Sequence, residues 1–111
     1  MRSSADFRTT VRRGIRAGRP TVVVHAASSA SSDVLVGLVV SKAVGNAVVR
    51  NSVKRRLRHI ARELLADTPD GSRIVLRAQP AAATRADALR TDVDSAWRSA
   101  LERLSRRGGF A

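Results

Sequence analysis

The sequence predicts an α+β fold in which helices pack on one small sheet, in the order helix, strands, helix, strand, helix. Apolar runs rich in β-branched residues, which are typical of strands, occur at residues 21–25, 34–41 and 73–77. Apolar residues recur at helical spacing in two longer stretches, 46–65 and 84–104. No internal repeat or dividing linker is present, so residues 1–111 are expected to form a single domain.

The first predicted helix begins at Ser3-Ser4, with Asp6 placed as in a capping box. Phe7 and Val11 then lie one turn apart on the same face. Gly14 is expected to end the helix. This helix is short and basic, because it carries Arg8, Arg12 and Arg13.

Two strands are predicted next. The first, at 21–25, follows Pro20, which bars a helix through that point. Residues 26–32 are rich in alanine and serine and end at Asp33, which predicts a mobile hairpin loop. The second strand follows at 34–41. Both strands are apolar nearly throughout, which predicts cover on both faces or a central position in the sheet.

The longest basic helix is predicted to run from Asn46 to about Leu65. Thr68-Pro69-Asp70-Gly71 contains the proline and glycine that break helices, so it is expected to end this element. A third strand at 73–77 follows and is bounded by Pro80.

The last helix is predicted to start at a Thr84 cap, with Asp87 three residues later. The apolar residues that recur along it are Leu89, Val93, Ala96, Trp97, Ala100, Leu101 and Leu104. Gly108 and Gly109 are expected to end the helix, which leaves residues 106–111 as a frayed tail.

The charge balance of the chain indicates a polyanionic partner. Lysine and arginine number 21 against 9 aspartate and glutamate residues, a formal net charge of +12. Such a field attracts polyanions and costs self-repulsion in the compact state, so a nucleic acid is the expected partner.

Cysteine content and hydropathy indicate the cellular compartment in which the protein is expected. The chain has no cysteine, which excludes disulfides and thiolate metal sites and is compatible with a reducing cytoplasm. Its longest apolar stretch, residues 34–40, is far shorter than the roughly 20 residues that span a bilayer. No secretory signal is recognisable, so a cytoplasmic location without a membrane partner is expected.

The helix predicted at 46–65 has two opposite edges. Its apolar edge, which must pack on the sheet, contains Val49, Val53, Leu57, Ile60 and Leu64. The other edge contains Asn51, Lys54, Arg55, Arg58 and Arg62. Because the core needs the apolar edge, the helix is not a free amphipathic membrane helix. A rigid row of cations instead predicts contact with a phosphate backbone.

A solvated helix face that binds nothing is the alternative for this basic edge. Such faces usually alternate in charge, with an acidic residue near each cation. Glu63 is the only acidic residue between Ser52 and Ala66, so the cations repel one another with little compensation. The pattern therefore favours binding.

Residues 36–58 resemble the signature region of the bacterial ribonuclease P protein subunit. The matching segments are VGLVVSK at 36–42, VGNAVVRN at 44–51 and VKRRLR at 53–58. The spacing Arg-Asn-x-x-Lys-Arg-x-x-Arg at 50–58 is similar to the RNR motif of that family. The Ser-x-Asp-Phe start with its basic helix and the strand at 74–78 match as well.

This resemblance implies that the chain joins a large catalytic RNA, with one protein per RNA, in a ribonucleoprotein that removes the 5′ leader from precursor tRNA. It implies that the RNA carries the chemistry and holds most of the Mg²⁺. It also implies about four strands and three helices in the order α-β-β-(β)-α-β-α. The β-α-β crossover through the RNR helix would be left-handed, against the general right-handed preference.

The resemblance also carries residue roles. The RNA-binding positions of the RNR helix match Arg50, Asn51, Lys54, Arg55 and Arg58, and Arg62 continues the same edge. Lys42 and Asn46 match the loop that leads into this helix.

A second surface of the family is a cleft between the first helix and the sheet, where the single-stranded leader lies. Its lining positions match Phe7, Val11, Val23 and His25. Val11 and His25 stand where other members commonly have aromatic residues, so phosphate contacts are expected to outweigh base stacking here. For Phe7, burial in the core as an ordinary apolar residue is an equally favoured alternative to contact with the leader. No potential metal ligand is spaced near His25.

Catalysis by the protein alone is not expected, because its carboxylates form no recognisable acid–base or metal-binding set. A structural RNA-binding protein, such as a ribosomal protein, shares the basic charge and stays open as an alternative. A binder of the DNA major groove would need a helix-turn-helix partner or a dimer seam, and neither is evident.

Overall fold

The computed structural model describes residues 4–108 and shows helices packed on a four-stranded sheet. In chain order the elements are α1 (Ser4–Arg13), β1 (Ile15–Gly18), β2 (Val22–Ser28), β3 (Leu35–Val39), α2 (Ala47–Leu64), a 3₁₀ turn (Leu65–Asp67), β4 (Ser72–Ala78), α3 (Ala81–Thr84) and α4 (Ala86–Arg106). The α+β class and the four strands are therefore confirmed. Ser3 of the predicted cap and residues 109–111 of the predicted tail lie outside the described residues.

The strand order across the sheet is β1-β2-β4-β3. The predicted hairpin between the strands at 21–25 and 34–41, which the structure has as β2 and β3, is wrong, because β4 lies between them and pairs antiparallel with β2 and parallel with β3. Residues 26–28 belong to the predicted hairpin loop, but in the structure they continue β2 through their pairing with residues 72–74 of β4. Pairing with β4, which is distant in the chain, therefore makes β2 longer than its amino-acid composition predicts.

β1 has no strand pattern of its own, and it forms because it pairs with β2. The chain passes from α1 into β1 at Gly14, whose backbone N–H donates to the carbonyl oxygen of Thr10 at 3.0 Å. A Cβ atom at Gly14 would lie 2.5 Å from the carbonyl oxygen of Ala26 on β2. This close approach of helix end and strand requires glycine.

The main core lies between one face of the sheet and the apolar edges of α2 and α4. The strand residues that face it include Val22, Val24, Ala26, Ile74 and Leu76. Trp97 of α4 is 1% exposed, and its indole Nε1 donates to Thr68 Oγ1 at 3.0 Å. β2 is buried almost throughout, as its sequence predicts, whereas β3 is an edge strand with mostly half-buried residues. The predicted burial on both faces is therefore right for β2 and wrong for β3.

The connection β3–α2–β4 joins two parallel, adjacent strands, which gives the expected β-α-β crossover. The left hand of that crossover stays a prediction. α2 begins and ends within one residue of its predicted bounds. The side-chain oxygen of Asn46 caps it by accepting from the backbone N–H of Val49 at 3.0 Å.

The predicted start of the last helix is wrong. Thr84 ends the one-turn helix α3, which sequence patterns did not indicate, and Arg85 precedes α4 without a capping side-chain hydrogen bond. The apolar edge predicted for α4 is buried, apart from the half-buried Leu101. α4 extends to Arg106, so this residue, which the frayed tail was predicted to include, is helical.

α1 covers the sheet face that is turned away from the main core. This face carries Val23, His25 and Val75, because side chains alternate along β2 and β4. Nε of Arg73, on the same face, lies 3.9 Å from an Asp6 carboxylate oxygen of α1. The sheet therefore separates α1 from α2 and α4.

Candidate nucleic-acid interface

α2 is held rigidly because one side of it belongs to the core. Val53, Leu57, Ile60 and Ala61 are buried against the sheet and α4. Burying one leucine-sized side chain contributes about 1.5–3 kcal/mol, so several such residues anchor the helix strongly. Any side chain on the opposite side of α2 is therefore presented from a fixed backbone.

The opposite side of α2 carries the cationic surface that the sequence predicts. We define the basic edge as Asn51, Lys54, Arg55, Arg58 and Arg62. All are exposed except Lys54, which is half-buried. Within residues 4–108 none of these five side chains has a hydrogen-bond or ion-pair partner. Their donors are available to an outside acceptor.

The remaining predicted RNA-binding residues lie at the start of α2. Arg50 is half-buried, and its Nε is buried without a hydrogen-bond partner among the described residues. Lys42 is exposed in the turn before the helix, where its carbonyl oxygen accepts from the Gly45 N–H at 3.2 Å. Asn46 uses its carboxamide oxygen as the helix cap, so only its NH₂ group remains for a ligand.

Glu63, the single acidic residue of α2, is compensated by Arg90, a cation outside the basic edge. Its carboxylate pairs with Arg90 of α4 and lies 3.4 Å from His59 Nε2. The hydrogen bond from Arg90 is the main reason that the pKa of Glu63 is lowered. Glu63 therefore does not neutralise the cations of the basic edge, because its ion pair is with Arg90.

A cleft of about 440 Å³ adjoins the basic edge at the free edge of β3. Its lining residues come from α1, β3, α2 and the 3₁₀ turn: Phe7, Val36, Gly37, Leu38, Arg58, Ala61, Arg62 and Leu65. Phe7 and the two arginines thus border one space, although sequence reasoning assigned them to separate surfaces. Their meeting depends on β3 being an edge strand, which the sequence did not reveal.

The four predicted leader-cleft residues occupy different environments. Phe7 is half-buried and borders the 440 Å³ cleft, and Val11 is half-buried one turn later. Val23 and His25 are 4% and 3% exposed on the sheet face that α1 covers. Of these four residues, Phe7 is the one that lines this cleft.

His25 lacks any hydrogen-bond partner among the described residues, at either ring nitrogen. Burial is the main cause that lowers its pKa, and the charges of Arg77 and Arg16 on the flanking strands lower it further. The imidazole is therefore neutral at pH 7 and packs as a buried ring.

Arg73 is a buried cation that sequence reasoning did not single out. Besides its approach to Asp6, it donates to the Asp33 carbonyl oxygen at 3.0 Å and lies 3.3 Å from the Asp33 carboxylate. A hydrogen bond from Ser31 and the charge of Arg73 lower the pKa of Asp33, the Ser31 bond being the larger cause. Arg73 therefore fixes the β2–β3 loop and the start of α1 to the sheet. Its place in an apolar strand gave no local signal of this role.

No group of three or more histidine, aspartate or glutamate side chains among residues 4–108 is arranged to hold a metal ion. No helix there is long and apolar enough to cross a membrane.

Comparison with known proteins identifies relatives over nearly the whole chain. The family model Ribonuclease P matches residues 1–102. The ribonuclease P protein component of Kocuria rhizophila is 52% identical over 106 residues, covering 95% of this chain and 94% of the relative. That of Pseudarthrobacter chlorophenolicus is 50% identical over 109 residues, covering 96% and 80% respectively.

Solved structures show the same fold. The RNase P protein of Thermotoga maritima superimposes with a TM-score of 0.74 at 23% identity, covering 86% of this chain and 91% of the other. The RNase P protein of Staphylococcus aureus gives a TM-score of 0.73 at 23% identity, covering 92% and 91%. The four-stranded sheet and its helices are thus an architecture already observed in these proteins.

Proposed function

The chain belongs to the ribonuclease P protein family, and we propose that it binds the catalytic RNA of that ribonucleoprotein through the basic edge of α2. The observation that carries this proposal is the row of cations on α2 without partners among the described residues. Each arginine can donate two parallel hydrogen bonds to a phosphate, while Lys54 acts as a mobile point charge. Asn51 can both donate and accept, so it suits a 2′-hydroxyl or a base edge.

The cleft at the β3 edge is proposed as the place where the precursor tRNA leader enters. A single-stranded segment exposes both bases and phosphates, and the cleft offers an aromatic ring at Phe7 beside guanidinium groups at Arg58 and Arg62. The RNA surface and the leader surface would then be continuous. The position of Phe7 would be maintained by the packing of α1 on the sheet, to which Val11, Val23 and His25 contribute.

The division of labour follows from what these side chains can do. Among the described residues no cluster of three or more histidine, aspartate or glutamate side chains is arranged to hold a metal ion, and the basic edge itself contains no carboxylate or histidine. The proposed role of the protein is to position substrate and to offset phosphate repulsion, while Mg²⁺ held mainly by the RNA supplies the activation of water. We further propose one protein per RNA and action in the bacterial cytoplasm.

Reconstitution tests the proposal. The chain is mixed with ribonuclease P RNA and precursor tRNA at low Mg²⁺, where repulsion between RNA backbones is least screened. The proposed subunit restores release of the 5′ leader, and a variant with Arg55→Ala and Arg58→Ala restores less. A merely structural RNA-binding protein would bind RNA without restoring cleavage, and that result would overturn the proposal.

A further inference from the structure

A second cationic surface lies on the other side of the molecule from the basic edge, and it involves residues to which no role has been given so far. It begins on the exposed side of α1, where Arg8, Arg12 and Arg13 line a groove of about 390 Å³ together with Ala5 and Thr9. α1 lies on the sheet face opposite α2, and β1 is the sheet edge opposite β3. This groove is therefore separated from the basic edge by the sheet itself.

The C-terminal end of α4 extends this surface around the β1 edge. Arg107 Nη2 donates to the carbonyl oxygen of Arg13 at 2.9 Å, and Arg103 Nη2 donates to the carbonyl oxygen of Arg16. Each bond uses one of the five N–H donors of a guanidinium group, so most donors remain free for a ligand. The two bonds bring the α4 arginines beside those of α1 and β1.

The charges in this cluster are compensated poorly. Glu102 pairs with Arg106 on the same helix. Among the described residues, the side chains of Arg8, Arg12 and Arg13 have no acidic partner, and neither do those of Arg16, Arg103 and Arg107. Like charges held close together repel one another, and a polyanion relieves that repulsion while its counterions are released.

We propose that this α1–β1–α4 surface is a second RNA-binding site, which takes a phosphodiester backbone segment while the basic edge of α2 holds another. The chemistry is a series of arginine–phosphate contacts without base readout, because the surface has no exposed aromatic ring among its described residues. The protein then bridges two RNA segments across its sheet. The proposal does not depend on which RNA occupies the basic edge.

The test counts how many short RNA strands one protein binds. The probe is a uridine oligonucleotide of about ten nucleotides, long enough to follow one cationic groove. The full chain is titrated in two forms, unmodified and with Arg8→Gln and Arg12→Gln. Both arginines are exposed, and neither side chain has a partner among the described residues, so their loss should leave the fold intact. Arg85→Gln with Arg98→Gln removes the same formal charge elsewhere and serves as the charge control; of these two, Arg98 forms an exposed ion pair with Asp94 on the same helix.

The unmodified chain should bind two strands and bring a donor-labelled and an acceptor-labelled oligonucleotide together. The Arg8/Arg12 variant should keep one strand and lose the energy transfer, because two phosphate contacts of the second strand are removed. The control should keep both strands. A single strand per unmodified chain, or equal losses in variant and control, would overturn the proposal.

Two further outcomes keep this test separate from that of the proposed function. Loss of the second strand with leader cleavage still restored would support the second site alone. Binding to vesicles of anionic phospholipid that is lost in the Arg8/Arg12 variant, while its RNA stoichiometry is unchanged, would identify a membrane surface as the partner and overturn the RNA assignment.

Discussion

Phe7 of α1 and Arg58 of α2 border the same cleft, although they belong to helices on opposite faces of the sheet. They meet at the free edge of β3, where no further strand separates the two faces. An aromatic ring and a guanidinium group are thus placed to receive a base and a phosphate of one strand. This relationship links the two surfaces through which the protein is proposed to act.

Replacing Phe7 by alanine should impair the use of leader-bearing precursor tRNA more than the binding of the catalytic RNA. The physical reason is that base stacking on an aromatic ring is worth about 1–3 kcal/mol, whereas the basic edge is untouched. The measurement compares the affinity for precursor with that for tRNA lacking the leader. Phe7→Leu keeps an apolar side chain, so it separates stacking from packing. Equal loss of both affinities in Phe7→Ala would indicate a defect in folding.

Stability should fall as the pH falls below about 6.5, the ordinary pKa of histidine, because of His25. Burial lowers the pKa of His25 in the folded protein, so the unfolded chain takes up a proton first and is favoured there. The loss levels off once the pH passes below the lowered pKa. Urea unfolding at about pH 7.5 and about pH 5.5 measures the difference.

His25→Phe should remove this part of the pH dependence, since phenylalanine does not titrate. The lowered pKa values of Glu63 and Asp33 belong to carboxyl groups and act at lower pH, outside this window. An unmodified chain that is equally stable at the two pH values would contradict the assignment.

Gly14→Ala should destabilise the protein by about 1–3 kcal/mol, the usual cost of overpacking. The new methyl group would lie 2.5 Å from the carbonyl oxygen of Ala26, and backbone would have to move. Gly18→Ala is the control, because a Cβ atom there has no neighbour within 4 Å. Chemical denaturation of the two variants should differ clearly, and a Gly14→Ala protein as stable as the control would refute the close approach.

Thr68→Val should cost about 1–3 kcal/mol, because it leaves the buried indole N–H of Trp97 without its acceptor. Valine preserves the shape of threonine, so packing is little changed. The unfolding free energy of Thr68→Ser, which retains the hydroxyl group, provides the comparison. If valine proves no more harmful than serine, the hydroxyl group of Thr68 contributes little and the role given to this hydrogen bond would be contradicted.

Sequence reasoning succeeded where the determining interactions are local. α2 is bounded by Asn46, which caps it, and by residues 68–71, which break it, so both ends were recognisable. Its basic edge follows from helical periodicity alone, and the structure leaves that edge without partners among the described residues. The buried edge of α4 follows from the same periodicity.

The sequence did not reveal features that depend on pairing between distant segments. β1 forms because it pairs with β2, and β4 inserts between β2 and β3, which no local pattern encodes. The cleft that joins Phe7 to Arg58 depends on that strand order, so its lining could not be assembled from motifs. Arg73 is a further case, since its partners Asp6 and Asp33 lie far from it in the chain.

The salt dependence of binding to ribonuclease P RNA tests the central claim most directly. With Arg55→Ala and Arg58→Ala together, affinity should fall, and the slope of log affinity against log salt should shrink by about 1.4–1.8 for two lost phosphate contacts. Arg85→Ala with Arg98→Ala, which removes equal charge outside the basic edge, should leave the slope nearly unchanged. A slope identical to that of the unmodified chain in the Arg55/Arg58 variant would show that α2 is not the docking surface.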